Sequence, residues 1–469
     1  METKKKSSFT SSIGFVLAAA GSAVGVGNIW RFPYLAARDG GGIFLLVYLI
    51  LVLTFGFALL TTDIALGRRT GKHAWEAFGS LRPKWGFLGK LTFLVPLIIM
   101  TYYSVIGGWV LKYATVYLTG QHHAAAADNF FTDFISSPVA PIVFMLIFLA
   151  VTAFIVFAGV EKGIEKFSRF VMPGLLFLIV GIAVYSLTLS HTDAAGVTRT
   201  GLQGLMIYLK PDFTGMTFSR FLNILLDAMS QLFFSLSVSM GIMITYGSYV
   251  KKDVNLNKSI AQVEFFDTGV AFLAGMMIIP AIYVFSGTEG MASGPSLMFV
   301  SLPKVFDSMG TAGIIVGVLF FVMIIFAALT SCVSIMETLV ATCMNIFHKD
   351  RKTVSLWITV YSAVTAAVVC LGYSALYFEC PLPNGQTGQL LDIMDYVSNS
   401  FLMPLIAFLT AIFVGWVMKP QWIAEEMRIG SPGGFPREKL YSFLVRFVVP
   451  VVMVLLFFQS TGLLSRIFS

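Results

Sequence analysis

Charged residues are scarce in this chain of 469 residues. Asp, Glu, Lys and Arg make up 12% of it, whereas soluble domains carry about 25%, so a soluble globular protein is excluded. The four cysteines show no paired spacing and the five histidines no zinc spacing, so we predict neither a disulfide framework nor a zinc site. The sequence also lacks a P-loop, a nucleophile elbow and an HExxH motif. ATP-driven chemistry and enzymatic activity are therefore not expected.

Long apolar runs dominate instead. Hydrophobic residues make up 57% of the chain, and a helix needs roughly 20 of them to cross a bilayer. Eleven runs have this character, near residues 11–37, 42–67, 91–119, 140–160, 164–189, 219–249, 256–286, 313–346, 354–378, 393–418 and 440–465. The sequence therefore predicts an all-α, multi-pass protein of the cell membrane, surrounded by the lipid bilayer.

The net charge of +7 is distributed unevenly among the loops. With the N-terminus placed in the cytosol, most Lys and Arg residues fall in the N-terminal segment and the even-numbered loops. The positive-inside rule then predicts a cytoplasmic N-terminus and, after eleven spans, an external C-terminus. Because membrane topology explains the excess of basic residues, we expect no nucleic-acid partner. His122 and His123 fall in a predicted external loop, where we expect them to be solvated.

The first apolar run breaks the rules for a membrane helix. Gly21, Gly25 and Gly27, with Asn28 and Arg31, interrupt it within residues 21–33. Because lipid offers no partners to backbone groups, an unwound segment is stable only where it lines a cavity inside the protein. There its free carbonyls can bind a cation, and its helix N-terminus an anion. Packing through small residues would explain Gly21 and Gly25, but not the polar residues that follow.

A second interruption lies in the sixth run, where residues 234–241 contain three serines and a glycine. Broken helices five spans apart are typical of two five-helix repeats with inverted topology. The predicted organisation is a cytosolic N-terminal segment 1–10, a first repeat 11–189, an external loop 190–218, a second repeat 219–418, a cytosolic loop 419–439, and an eleventh helix with an external C-terminus, 440–469. Pro295 and Pro303 flank a short segment that could form a re-entrant lid.

Ionisable and polar residues inside the spans are candidates for function because burying them in lipid is costly. The acidic ones are Asp63, Asp227, Glu264, Asp267, Glu337 and Asp395. For Asp227 and Glu264, simple hydration at the end of a span is an equally good interpretation. Asn28, Ser235, Asp267, Thr330 and Ser331 offer the hard oxygen ligands that sodium prefers. For the last two, the alternative is a hydrogen bond to the carbonyl one turn earlier.

Three further features each allow two interpretations. Tyr103 lies in mid-span, which favours a hydrogen bond into a cavity over a place in an interfacial belt. Arg31 and Asp395 could pair across an outer vestibule or be hydrated separately. Gly163 and Pro173 could allow the start of the fifth span to unwind, or mark a static kink.

Together these features resemble the neurotransmitter:sodium symporter family over nearly the whole chain. The specific motifs are Ala20–Pro33 with its Asn28-Ile-Trp-Arg-Phe-Pro sequence, Tyr102-Tyr103, Gln231–Ser237, Thr245–Tyr249 and Ala327–Ser331. The similarity is strongest to the bacterial subgroup of eleven-helix amino acid transporters. The resemblance implies a sodium-coupled symporter that imports hydrophobic or aromatic amino acids by alternating access.

The resemblance also implies roles for individual residues. A first sodium ion would bind Ala23, Asn28, Ser235 and Asp267, and a second would bind Gly21, Val24, Ala327, Thr330 and Ser331. The amino acid would contact Ser22, Ala23, Gly25, Val26, Gly27, Ile99, Tyr103, Phe234, Ser235, Ser237, Met240, Ser331 and Ile335. The outer gate would consist of Phe234, Arg31 and Asp395, and the inner gate of Lys6, Phe9, Ser248 and Tyr249. The spacing of Gly163 and Pro173 matches a family element that unwinds to hydrate the second sodium site.

Two departures from the family pattern concern the pocket and the inner gate. Met240 replaces a common Phe, which predicts a pocket tolerant of large apolar side chains because Met is flexible. Asn345 replaces an Asp that commonly pairs with the N-terminal basic residue, here Lys6. Glu337 and Asp350 are the candidate substitutes.

A third departure concerns the charge of the first sodium site. Asp267 replaces the commoner Asn, and Ala271 lies where certain relatives carry a carboxylate. Two sodium ions and a zwitterion bring net positive charge into a site of low dielectric, where an uncompensated ion is costly. We therefore expect Asp267 to balance this charge and transport to be independent of chloride. In the empty site Asp267 is unpaired, which favours its protonation and makes proton return an open alternative.

Two other functions are compatible with the residues. Proton coupling with Asp267 as the carrier would use the same fold. An ion channel would line its pore with the two broken helices, although the sequence has no repeated filter motif.

Overall fold

The structure, a computed structural model, describes residues 8–463 except 194–195, 288–289, 291–294 and 384. Within the described residues, nine helices are long and apolar enough to cross a bilayer, and the bent pair Ser12–Ala23 and Val26–Arg38 gives a tenth. The helices Phe218–Ser235 and Ile242–Ser248, separated by residues 236–241, supply one more. This architecture agrees with the eleven predicted spans.

The spans are numbered in chain order. They are span 1, Ser12–Ala23 with Val26–Arg38; span 2, Gly42–Thr70; span 3, Pro83–Leu118; span 4, Ala140–Phe157; span 5, Val160–Thr188; span 6, Phe218–Ser235 with Ile242–Ser248; span 7, Leu256–Ser286; span 8, Thr311–Phe347; span 9, Arg351–Leu371; span 10, Leu390–Val417; and span 11, Glu438–Ser460. The predicted bounds differ by several residues at some ends. Span 9, for example, ends at Leu371 rather than near residue 378.

Short elements connect the spans. The helical ones are Ala74–Leu81, His122–Ala125, Phe130–Ser136, Gly201–Leu209, Leu297–Ser301, Leu302–Ser308 and Gln421–Arg428. Two antiparallel hairpins pair Ser190–Thr192 with Thr198–Thr200, and Cys380–Pro381 with Thr387–Gly388. The predicted lid segment after Pro295 is therefore helical, and its apolar residues are buried against the bundle.

The break in span 1 is a sharp bend of 54° between its two halves. Val24 and Gly25 adopt extended backbone conformations, which ends the first half at Ala23 and starts the second at Val26. The Asn28 side chain accepts a hydrogen bond from the Gly25 N–H at 3.1 Å. Asn28 therefore caps the second half, satisfying a donor that the break leaves free.

The break in span 6 depends on three residues with positive φ, namely Ser237 at 52°, Ser239 at 62° and Gly241 at 78°. Such backbone angles are uncommon for residues other than glycine. The Ser239 N–H donates to the Asp63 carboxylate of span 2 at 2.9 Å, and Asp63 is buried. A side chain of span 2 therefore stabilises the unwound segment of span 6.

Span 2 and the second half of span 6 are in direct backbone contact. A Cβ atom at Gly67 would lie 1.9 Å from the carbonyl oxygen of Ile244, and one at Gly247 would lie 2.3 Å from that of Ile64. Only glycine fits at either position, because both obstacles are backbone atoms. The two helices therefore pack more closely than side chains allow.

The outer faces of spans 4, 5 and 7 are apolar and exposed. Phe154, Phe170, Phe177 and Phe265 each leave 74–79% of their surface uncovered. Exposed apolar area of this extent is unusual in soluble monomers and normal where lipid covers the helices. The prediction of a membrane protein agrees with this surface.

Candidate functional site

A cavity of about 400 Å³ lies where the broken helices meet. It is lined by Ser22, Ala23, Gly25, Gly27, Asn28, Ile99, Tyr103, Phe234, Ser235, Ser237, Met240, Ile242, Ser331 and Ile335. The structure thus brings together every predicted substrate residue except Val26, which is buried at the start of the second half of span 1. Asn28 and Ile242 join them. A second cavity, of about 270 Å³ between spans 5, 7 and 8, is mostly apolar and contains none of the predicted site residues.

The bend in span 1 leaves the Ser22 carbonyl free to accept hydrogen bonds from spans 6 and 8. The Ser22 oxygen accepts hydrogen bonds from the hydroxyls of Ser237 at 2.9 Å and Ser331 at 3.2 Å. In a continuous helix this oxygen would accept the N–H four residues later. The cavity wall therefore consists of backbone and hydroxyl groups from spans 1, 6 and 8.

Tyr103 has a buried hydroxyl with no hydrogen-bond partner among the described residues. This hydroxyl faces the bend, because a Cβ atom at Gly25 would lie 3.4 Å from it. The adjoining helix Val26–Arg38 begins there, and helix N-termini present unpaired N–H groups to anions. These donors together can bind a carboxylate. The place of Tyr103 agrees with the prediction that its hydroxyl points into a cavity.

The predicted first sodium site is a buried cluster of polar side chains. The Asn28 amide donates to Ser235 Oγ at 2.9 Å and to Asp267 Oδ1 at 2.8 Å, while the Ser235 hydroxyl donates to the same carboxylate oxygen at 2.6 Å. Asp267 is fully buried, and its Oδ2 atom has no partner in the described part of the chain. The unpartnered Asp267 Oδ2 atom and the neighbouring Ser235 hydroxyl offer oxygen ligands that fit a hard cation. The Asn28 amide presents its nitrogen to this carboxylate, and its oxygen accepts the Gly25 N–H.

The predicted second sodium site joins spans 1 and 8. A Cβ atom at Gly21 would lie 3.2 Å from Thr330 Cβ, so the two residues are in contact. The Thr330 hydroxyl donates to the carbonyls of Phe326 and Ala327, each at 3.0 Å, which is the back-bonded alternative. The Ser331 hydroxyl instead crosses to span 1. The remaining predicted ligands, Val24 and Ala327, are fully buried.

A family model described as the sodium:neurotransmitter symporter family matches residues 6–133 and 129–466. The chain belongs to this family. An uncharacterized sodium-dependent transporter of Bacillus subtilis is 33% identical to the symporter over 470 residues, which cover 99% of this chain and 100% of that relative. The sodium- and chloride-dependent GABA transporter 2 of Homo sapiens is 24% identical, over 88% of this chain and 73% of its own.

Among solved structures, the symporter is similar to the crystal structure of MhsT in complex with L-phenylalanine. The TM-score is 0.83 at 34% identity, and the match covers 97% of this chain and 100% of MhsT. This match confirms the predicted fold class of eleven membrane helices, with broken spans 1 and 6 in two inverted repeats and one additional helix. Membership in a family of sodium-coupled symporters makes the protein a sodium-dependent, multi-pass membrane transporter of a small molecule, and not an enzyme.

The described residues of the predicted inner gate of the symporter are packed together. The Phe9 N–H donates to the Tyr249 carbonyl at 3.2 Å, and the Phe9 ring, 3% exposed, packs on those of Tyr246 and Tyr249. Ser248 donates to the carbonyl of Thr245 at 2.7 Å. Lys6, the remaining predicted member, lies outside the described residues. These contacts seal the N-terminal segment against the second half of span 6.

An ion pair beside the inner gate was not predicted. Arg351 binds the Glu337 carboxylate with both guanidinium nitrogens, at 2.6 and 2.8 Å, and the Tyr249 hydroxyl donates to the same carboxylate at 2.8 Å. Glu337 is fully buried. Asp350, the other proposed partner of Lys6, caps span 9 by accepting the Thr353 N–H at 3.2 Å. Both candidates thus have other partners.

The predicted ion pair of the outer gate is not formed in this structure. Arg31 donates to the Ser230 hydroxyl at 2.8 Å, and Asp395 accepts from the Asn399 amide at 2.5 Å. Each charged group instead has a neutral hydrogen-bond partner nearby. Closure of the outer gate through this pair remains a prediction.

Two other acidic candidates are now distinguished. Asp227 pairs with Arg38 on the outer side and is partly exposed, so a hydrated end-of-span residue describes it well. Glu264 is 4% exposed and one of its oxygens has no partner among the described residues. Its burial contradicts simple hydration at a span end.

The predicted hinge of span 5 is helical in this structure. Gly163 lies in a π-helical turn, Val160–Glu165, and Pro173 lies inside the following helix, Lys166–Thr188. A Cβ atom at Gly163 would lie 2.0 Å from the Ile155 carbonyl oxygen. The π-turn is a local departure from α-helical geometry of the kind often found at functional sites. Unwinding at this turn remains a prediction.

Proposed function

We propose that the symporter couples the entry of two sodium ions to the import of one hydrophobic or aromatic amino acid by alternating access, without chloride. The observation that carries this proposal is the cavity between spans 1 and 6, which combines unpartnered buried polar atoms with an apolar wall. The similarity to MhsT, whose structure contains L-phenylalanine, supports the substrate class. The N-terminus is taken as cytoplasmic, from the distribution of basic residues.

The cavity matches the chemistry of a zwitterion with an uncharged side chain. The substrate carboxylate accepts hydrogen bonds from the N–H groups of Val26 and Gly27 and from the Tyr103 hydroxyl. Its ammonium group faces the carbonyls beside the two breaks, at Ala23, Phe234 and Ser237. Ile99, Phe234, Met240 and Ile335 surround the side chain. None of the described lining residues is charged, so the wall suits an uncharged side chain.

Sodium coupling follows because the substrate cavity and the proposed first sodium site share residues. Asn28 and Ser235 line the cavity and also contact Asp267. A sodium ion at Asp267 therefore lies next to the substrate carboxylate, which completes its ligand shell. Each ligand then increases the affinity for the other, since coupling between adjacent sites is reciprocal.

The proposed transport cycle uses the gates already described. With Phe9 sealing the inner side, ions and substrate enter from outside. Arg31 and Asp395 then leave Ser230 and Asn399 and pair with each other over Phe234. Unwinding at Gly163 admits water to the second sodium site and releases its ion inward.

Reconstitution into proteoliposomes tests this function directly. An inward sodium gradient is expected to concentrate Leu, Phe, Tyr or Trp, and replacement of sodium by potassium is expected to stop accumulation. Accumulation that needs a pH gradient but no sodium would establish proton coupling instead. Single-channel currents without concentrative uptake would establish an ion channel.

Replacement of Asp267 by Ser tests the charge-balancing role. The variant lacks the negative charge that offsets the bound cations, so uptake is expected to fall in chloride-free medium and to recover in part when chloride is added. The wild type and the matched variant Asp253→Ser, changed at an exposed carboxylate, should be indifferent to chloride. Unaltered, chloride-indifferent uptake by Asp267→Ser would contradict this role.

A further inference from the structure

Three potential metal ligands meet on the predicted external side, away from the transport cavity. His122 and His123 belong to the short helix between spans 3 and 4, and Asp307 belongs to the helix Leu302–Ser308 before span 8. One ligand atom of each residue lies within 4.8 Å of the other two. His123 Nδ1 is 2.5 Å from Asp307 Oδ1, and the centroids of the two imidazole rings are 4.1 Å apart. His123 and Asp307 are 184 residues apart in the chain, so the sequence alone does not indicate this cluster.

We propose that His122, His123 and Asp307 bind a divalent transition-metal ion, with zinc the best match. Imidazole nitrogens and a carboxylate oxygen are the ligands that zinc takes when three protein groups and a water complete its tetrahedron. His122 is only partly exposed, contrary to the expectation of full solvation, and its Nδ1 atom is buried without a hydrogen-bond partner among the described residues. A metal ion supplies that missing partner.

The cluster needs only small movements to reach metal-binding geometry. Ligand atoms around tetrahedral zinc are about 3.3 Å apart, given metal–ligand bonds of about 2.0 Å. Rotation of the side chains can lengthen the 2.5 Å contact between His123 and Asp307. It can likewise shorten the longest separation between the ligand atoms, which is at most 4.8 Å. His123 and Asp307 have 77% and 34% of their side chains exposed, so both are free to adjust.

A metal ion here joins the loop after span 3 to the helix before span 8. The helix Leu302–Ser308 continues the segment Leu297–Ser301, which contacts the second half of span 1. Lys304 and Asp128 already form an ion pair between the same two regions. Bound metal therefore fastens the predicted lid to the loop after span 3 and slows transport. This consequence, unlike the metal site itself, rests on the proposed function.

Calorimetric titration of the full-length, tag-free protein with zinc chloride tests the site. One ion is expected to bind the wild type, and His122→Ala and Asp307→Asn are expected to bind at least about ten-fold more weakly, because each loses a ligand. The matched control is His191→Ala, which removes an exposed histidine from a separate hairpin. Zinc should raise the thermal unfolding temperature of the wild type and of His191→Ala only. Equal affinity in all four proteins would overturn the proposal.

Uptake measured in the same proteins separates the two parts of the inference. Zinc is expected to slow sodium-driven uptake by the wild type and His191→Ala, but not by His122→Ala or Asp307→Asn. Zinc that binds without slowing uptake would overturn the fastening of the lid. Absence of amino acid uptake in zinc-free wild type would contradict the proposed function while site-dependent zinc binding still supported the metal site.

Discussion

Replacing both Thr330 and Ser331 with Ala is expected to abolish sodium-driven accumulation of amino acid. Their hydroxyls are the two side-chain ligands proposed for the second sodium ion, at the contact between spans 1 and 8. Loss of a buried polar partner costs about 1–3 kcal/mol. Two such losses weaken sodium binding well beyond ten-fold, because each 1.4 kcal/mol is a factor of about ten. The gradient then no longer drives uptake at physiological sodium concentrations.

Proteoliposome uptake and the sodium dependence of amino acid binding measure this effect. The matched control replaces Thr359 and Thr365 with Ala, since both hydroxyls only donate to carbonyls of their own span 9. The control should concentrate amino acid as the wild type does. Retained accumulation in the Thr330 and Ser331 double variant would refute the assignment of the second site. Equal thermal stability of the two double variants in sodium-free buffer excludes misfolding as the cause.

Asp63→Ala is expected to lower the maximal uptake rate at least ten-fold, although Asp63 contacts neither ion nor substrate in the proposed scheme. Its carboxylate accepts the Ser239 N–H within the break of span 6. Without that acceptor a buried N–H is unsatisfied, which costs about 1–3 kcal/mol. Ser239 then loses the support for its left-handed conformation, which itself costs about 1–2 kcal/mol. The cavity wall at Ser237 and Phe234 is displaced as a result.

The variant Asp63→Asn distinguishes the hydrogen bond from the charge. Its amide oxygen can accept the same N–H, so it is expected to keep most of the wild-type rate. Initial uptake rates over a range of substrate concentrations give the comparison. An Asn variant as slow as the Ala variant would show that the charge of Asp63, rather than its acceptor oxygen, is required.

Both helix breaks could be predicted because the residues that cause them are local. The glycine-rich run Gly21–Gly27 predicted a break, and the structure bends within it, at Val24 and Gly25, while Gly27 and Asn28 belong to the helix that follows. Three serines and a glycine identify the second break in the same way. The exact residues with positive φ, Ser237 and Ser239, could not be predicted, because Ser239 is bound by Asp63 of span 2 and Ser237 by the Ser22 carbonyl of span 1.

Pairings between distant residues were predicted less well. Glu337 was identified as a costly buried acid, but nothing in the local sequence indicates Arg351 as its partner. Arg31 and Asp395 were expected to pair, yet each has a nearer neutral partner in this conformation. Local patterns report that a buried polar group needs a partner. They do not report which partner the folded chain supplies.

The backbone contact between span 2 and the second half of span 6 has a mechanical consequence. At Gly67 and Gly247 the backbones of the two helices touch with no side chain between them. We expect these two segments to move together as one rigid unit when the predicted cytosolic side opens. The hinge for this movement is then expected at residues 236–241, the short non-helical stretch between the two halves of span 6.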